Sequence, residues 1–169
     1  AVDNFVCGET EALEMLPLDK VQAAVKAACA AGQVGVLQEL LLLSDGSGGG
    51  GGGGGGSGGA SLPARAAEAR RVVVEYYYPL YTAASNGRVG VVELLLGVEG
   101  VDVNRGTPSD GRTPLYAACN NGHLAVVERL LAHPATNVNQ AMTGNQTPLF
   151  IAADRGHLAV AKVLLEKGA

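Results

Sequence analysis

Catalysis or metal binding would have to reside in histidine, cysteine and the acidic side chains, so their spacing is read first. The histidines are His123, His133 and His157. A metal site needs its ligands about 2 Å from one ion, whereas packed helices stand roughly 8–10 Å apart. His123 and His157 occupy identical places in successive copies of a repeated block. A structural role at the start of a helix is expected for them, with no metal. The cysteines Cys7, Cys29 and Cys119 are odd in number and widely scattered, which argues against a disulfide framework. Cys29 and Cys119 sit in alanine-rich helical stretches, where a thiol acts as a small buried hydrophobe. Such usage fits a reducing compartment, and the chain is expected inside the cell, in the cytoplasm. Glu128 and Glu166 belong to solvated helix faces. No Ser, Cys or Lys has a base motif beside it, so no catalytic residue is assigned.

A run of nine glycines, Gly48 to Gly56, raises the question of a phosphate-binding loop. Such a loop needs Lys and Ser/Thr directly after its last glycine, at the start of a helix. Here Gly58-Gly59-Ala60-Ser61-Leu62-Pro63 follows, and no Lys occurs between Lys26 and Lys162. The tract is read as a flexible Gly/Ser-rich insertion over 44–63. No cofactor and no small-molecule substrate are expected. The net charge of −4 arises before Arg71; from there on, eight basic residues balance eight acidic ones. That leaves no basic stripe for a phosphate backbone, and the absence of Trp lowers the prospect of base stacking. Nucleic acid is therefore not an expected partner. Apolar runs such as Val36 to Leu43 are too short to span a bilayer, and no membrane association is expected.

The elements that would position these side chains come from one recurring block. It reads Pro79-Leu80-Tyr81-Thr82-Ala83-Ala84, then Thr113-Pro114-Leu115-Tyr116-Ala117-Ala118, then Thr147-Pro148-Leu149-Phe150-Ile151-Ala152. The prolines fall at 79, 114 and 148, so the copies are 35 and 34 residues apart (114 − 79 and 148 − 114). A fixed period of this size marks stacked units, none of which can bury its apolar face alone. Within the third unit, Thr113 caps a helix and Pro114 takes its first position, where a missing N–H costs nothing. Leu115, Ala118 and Cys119 form its inward stripe, and the alanines keep the helix slim. Gly122 closes it. A second helix follows from His123-Leu124, with Val126, Val127, Leu130 and Leu131 making two apolar stripes, one for each neighbour. It ends near His133-Pro134. The polar stretch from Thr136 to Gln146 then makes a projecting hairpin.

Earlier in the chain, Val21, Ala24, Val25, Ala28 and Cys29 recur at helical spacing after Asp19, a suitable N-cap. Gly32-Gln33-Val34-Gly35-Val36-Leu37 aligns with Gly87-Arg88-Val89-Gly90-Val91-Val92, which makes 19–43 a degenerate first repeat. Residues 1–18 form an acidic segment with a short amphipathic helix. The division is completed by units over 72–107, 108–141 and 142–169 within 64–169, the last truncated. Leu164 and Leu165 belong to an apolar face that no polar cap covers at Gly168-Ala169. The array is therefore expected to continue past this point, and this end to be sticky.

These residues resemble the ankyrin repeat family. The resemblance rests on Thr-Pro-Leu-aromatic-x-Ala, Gly-His-Leu-Ala-Val at Gly122 and Gly156, the paired leucines, and Asp102-Val103-Asn104 or Asn137-Val138-Asn139. It implies an all-α solenoid of helix-turn-helix units with projecting β-hairpin loops. It also implies a non-catalytic role in binding another protein. The family usually has His after Thr-Pro-Leu; here Tyr81, Tyr116 and Phe150 stand there, so the bonds that a His makes between helix and loop are altered. The resemblance places partner contacts on the hairpin tips and the outer side of each first helix. Those positions are Glu75, Tyr77, Ser85 and Asn86; Ser109, Asp110, Arg112, Asn120 and Asn121; and Met142, Thr143, Gln146, Asp154 and Arg155. Asn104 and Asn139 stand where such repeats can be hydroxylated, although a turn residue bonding its own backbone accounts for them too. The alternative function is a docking or regulatory arm of a larger enzyme or channel. A different helical repeat of equal period would need long helices and short turns, which the long polar stretches here oppose.

Overall fold

Each Thr-Pro pair starts a helix by the same local chemistry. The Thr113 hydroxyl accepts the Tyr116 N–H at 3.1 Å, and the Thr147 hydroxyl accepts the Phe150 N–H at 3.2 Å. The proline after each threonine brings no orphan donor to the first turn. Tyr78 replaces threonine in the second unit and offers no side-chain cap. A glycine with positive φ ends each of these short helices, at Gly87, Gly122 and Gly156.

The computed structural model describes residues 18–42 and 78–169. The N-terminal acidic segment, the Gly/Ser-rich insertion and the stretch carrying Glu75 and Tyr77 lie outside the described residues. Eight helices are present among the described residues. They are α1 (Leu18–Ala31), α2 (Val34–Leu42), α3 (Pro79–Ser85), α4 (Val89–Leu96), α5 (Pro114–Asn120), α6 (Leu124–Ala132), α7 (Pro148–Asp154) and α8 (Leu158–Glu166). Helix α1 begins at Leu18, so Asp19 falls inside its first turn rather than before it, a correction to its reading as the N-cap.

The helices form two parallel ladders. The first helices of the pairs stack as α1, α3, α5, α7, and their partners stack as α2, α4, α6, α8, with each pair also packed internally. The first ladder is lined by small side chains, Ala83, Ala84, Ala117, Ala118, Cys119 and Ala152, all buried. Their size lets neighbouring backbones approach closely. The second ladder supplies the bulk of the core: Leu95, Leu130 and Leu164 occupy equivalent places and are fully buried, and Leu37, which aligns with Val92 and Val127, is fully buried with them. One continuous apolar cluster runs from Val25 to Leu164. At about 1.5–3 kcal/mol per buried aliphatic side chain, this shared core, rather than any single helix, stabilises the chain.

Polar rungs cross every junction. The Arg88 Nε donates to the Ala30 carbonyl at 2.8 Å, while His123 Nε2 and His157 Nε2 lie 3.1 and 3.2 Å from the carbonyls of Ser85 and Asn120. A carbonyl only accepts, so each imidazole carries its proton on Nε2. Every rung side chain rests on a glycine of the preceding unit. A Cβ built on Gly32 would stand 2.9 Å from Arg88, one on Gly87 2.9 Å from His123, and one on Gly122 2.6 Å from His157. Gly122 therefore meets two demands at once, a φ of +71° and the absence of a side chain.

The connections between units turn back sharply. In the first, Thr107 N–H donates to the Arg112 carbonyl at 3.0 Å; in the second, Met142 N–H donates to the Gln146 carbonyl at 3.0 Å. These are hairpin-like fingers, yet no strand forms among the described residues. The expected β-hairpins are thus reduced to tight turns, because each finger closes after a few residues and leaves no length for a ladder.

Candidate functional site

The finger tips and the exposed side of the short helices make up the candidate surface. In the first finger, Asp110 organises the turn. Its carboxylate accepts from the Thr107 and Ser109 hydroxyls and pairs with the Arg112 guanidinium at 2.8 Å. The Thr107 hydrogen bond is the largest influence that holds the carboxyl below its ordinary range, with Ser109 and Arg112 adding to it and burial opposing it. The Arg112 guanidinium also lies 5.9 Å from the centre of the Tyr116 ring, within reach of a cation–π contact. The second finger is built differently. Gly144 and Asn145 take positive φ values of 96° and 60°, and the turn closes through Asn145 N–H to the Met142 carbonyl at 3.0 Å. The two fingers are joined, since Thr143 N–H donates to the Asp110 carbonyl at 2.8 Å.

Tyr116 links helix to finger. Its hydroxyl donates to Gln146 Oε1 at 3.0 Å while the ring is buried. Burial raises the phenol's pKa, and the nearby Arg112 and Arg155 partly offset that rise. Phe150, at the same place one unit later, has no hydroxyl and is 51% exposed. Cys29 and Cys119 are unpaired and buried, and burial pushes both thiols up to about 12. They stay protonated near neutrality and are poor nucleophiles.

The structure brings some expected contact residues to the surface and gives others internal work. Ser109, Arg112, Thr143, Asn86, Asn121, Asp154 and Arg155 are exposed; Ser85, Asp110, Asn120, Met142 and Gln146 are half-buried. Asn121 donates its amide to the Ser85 carbonyl at 2.8 Å, the Asn120 carbonyl accepts a rung, and Gln146 accepts from Tyr116. Met142 packs against the core. Glu75 and Tyr77 lie outside the described residues. Asn104 bridges units: its amide donates to the Ala135 carbonyl at 2.6 Å and its oxygen accepts from Asn137 N–H at 2.8 Å. Sequence reasoning missed the Arg88 rung. Its signal was present in the register of Gly87-Arg88 with Gly122-His123 and Gly156-His157, which puts Arg88 in the histidine position. Among the described residues, no cluster of His, Cys, Asp and Glu is arranged to hold a metal ion, and no helix is long and apolar enough to cross a membrane.

Two ladders of helices, crossed by rungs and edged by fingers, define an all-α helical repeat protein. The family model for ankyrin repeats (3 copies) matches residues 66–169, more than half of the chain. The chain belongs to the ankyrin repeat family, whose members generally serve as protein–protein interaction modules and are typically non-catalytic. No curated protein matches it.

Proposed function

We propose that this chain is a non-catalytic module that holds another protein on its finger side. The observation that carries this reading is the bond from Thr143 N–H to the Asp110 carbonyl. It fixes neighbouring fingers relative to one another before any partner arrives. Exposed Ser109, Arg112 and Thr143 are thereby presented on a preorganised surface, with Asn86, Asn121, Asp154 and Arg155 on the adjoining helix ends. Preorganisation lowers the ordering cost of association. Arg112 is the leading contact, because arginine is a frequent hot-spot type. The helix pair α1–α2 is read as a degenerate first repeat over 19–43, followed by units over 72–107, 108–141 and 142–169; its stacking on α3 and the Arg88 rung support that division. Two buried, unpaired thiols support a reducing, cytoplasmic setting.

Affinity capture with the intact chain and with a Ser109→Ala, Arg112→Ala, Thr143→Ala triple variant tests the reading. The bound protein should be lost from the variant while its melting temperature stays within a few degrees. Recovery of the same protein by both would refute the finger side as the contact.

A further inference from the structure

The dipeptide Thr-Pro occurs three times, at Thr107-Pro108, Thr113-Pro114 and Thr147-Pro148. The second and third open helices, and their hydroxyls are engaged as caps. Thr107-Pro108 opens no helix and lies in the first finger. The Thr107 hydroxyl donates to the Asp110 carboxylate and accepts the Arg112 N–H at 3.1 Å. Thr107 is half-buried, and Pro108 and Ser109 are exposed. No residue over 104–112 belongs to the buried core. The turn is closed by Thr107 N–H on the Arg112 carbonyl at 3.0 Å and by Gly111 N–H on the Thr107 carbonyl at 2.8 Å. It can therefore open without unpacking the helices. A proline biases the residue before it toward extended backbone and brings no N–H of its own. Thr107 can thus be offered in an extended segment. Offering Thr113 or Thr147 in the same way would unwind a helix that carries core residues such as Leu115 or Ile151.

We propose that Thr107 is a phosphorylation site for a proline-directed protein kinase, and that its modification uncouples the first finger from the second; the regulatory part rests on the finger side being the contact surface. The Thr107 oxygen bonds to the γ-phosphorus of ATP, the bridging P–O bond between the β- and γ-phosphates breaks, and ADP leaves with that electron pair. The hydroxyl proton passes to the kinase's catalytic aspartate. The esterified oxygen then has no hydrogen to give Asp110. The phosphate also brings a charge of about −1.5 to −2 beside that carboxylate. Both anions compete for Arg112, whose Nε now pairs with Asp110 at 2.8 Å. A phosphate offers a guanidinium a strong bidentate partner. Asp110 also holds the second finger, because its carbonyl accepts the Thr143 N–H at 2.8 Å. Displacing Asp110 breaks that link, and drawing Arg112 onto the phosphate takes the leading contact off the surface.

The full chain is incubated with ATP, magnesium and either a cyclin-dependent or a mitogen-activated protein kinase, then mapped by peptide mass spectrometry. Phosphate should appear on Thr107 and not on Thr113 or Thr147. Pro108→Ala should abolish the labelling and leave melting unchanged. In the phosphorylated chain the amide signals of Asp110 and Thr143 should move, while those of Leu95 and Leu130 should not. Capture of the protein held on the finger side should fall roughly tenfold or more, as for loss of a hot spot. No labelling by either kinase, equal labelling of Thr113 or Thr147, or labelling that survives Pro108→Ala would overturn the site. A labelled chain with an unmoved Thr143 amide, or with undiminished capture of a protein that the finger triple variant loses, would overturn the regulation. If the triple variant keeps the protein, the contact surface is what fails, and the labelling and the Thr143 signal still decide the modification.

Discussion

The third and fourth units share a motif and differ in fate. Tyr116 and Cys119 are buried in the third, while Phe150 and Ala153 at the same register are exposed in the fourth. The residues that face backward, such as Ile151, Val160 and Leu164, are buried in both units' terms because a preceding unit covers them. Burial in this chain is therefore conferred by the neighbour, not by the motif. A stack of this kind has stability that is approximately a sum over units and junctions, and substitutions at matched positions separate the two contributions.

The largest contrast is expected between Leu130→Ala and Leu165→Ala. Leu130 is fully buried, and its truncation should cost about 2–5 kcal/mol in chemical denaturation. Leu165 is 59% exposed, and its truncation should change stability by less than about 0.5 kcal/mol. Equal losses would show that the inner and outer faces have been misassigned.

Gly122→Ala and Gly156→Ala come next. Both force a left-handed backbone on alanine, at roughly 1–2 kcal/mol. Only the first also drives a methyl to 2.6 Å from the His157 ring. Thermal melting should rank Gly122→Ala as clearly worse. If a His157→Ala background does not narrow the gap, the ring is not what crowds Gly122.

Thr113→Ala removes a cap and should cost about 1 kcal/mol, read at a buried helix start. The matched test in the second unit, Tyr78→Thr, should gain a fraction of that, because Tyr78 supplies no cap. A stability change of the opposite sign in either variant would contradict the capping account.

The smallest effect compares the two fingers under acid. The folded Asp110 pKa lies below its ordinary 3.8. The contribution of this carboxylate is thus fully present above that value and is lost as pH falls through the folded pKa. Amide signals of the first finger should shift in the acid range, while those of the Met142–Gln146 turn, closed by backbone bonds and positive φ, should not. Simultaneous shifts in both would mean that Asp110 is not the group holding the first finger.

Much of this architecture was legible because the motif residues act locally. Thr113, Pro114 and Gly122 each determine the conformation of their own segment, so their meaning survives without a structure. Leu130 followed from period and register, and its counterparts Leu95 and Leu164 are buried with it. What escaped was relational. Arg88 replaces a histidine with a chemically different donor, so similarity of residue type could not reveal the shared rung. The fingers were expected to form strands, but closure after a few residues is a matter of backbone geometry. For the candidate surface, Asn121 and Gln146 were read as free for a partner, whereas the structure gives each a bond to an adjacent unit. A polar side chain at a unit's edge serves the neighbour as readily as a visitor, and its spacing in the chain does not distinguish the two.

The first junction carries a separate lesson. Helices α1 and α2 dock on α3 and α4 as the later pairs dock on theirs, although residues 43–77 intervene between them. Among the described residues, the docking is built from helix faces and a rung. Adjacency at this junction is thus written in the helix faces themselves, with Arg88 on the Ala30 carbonyl as its polar latch.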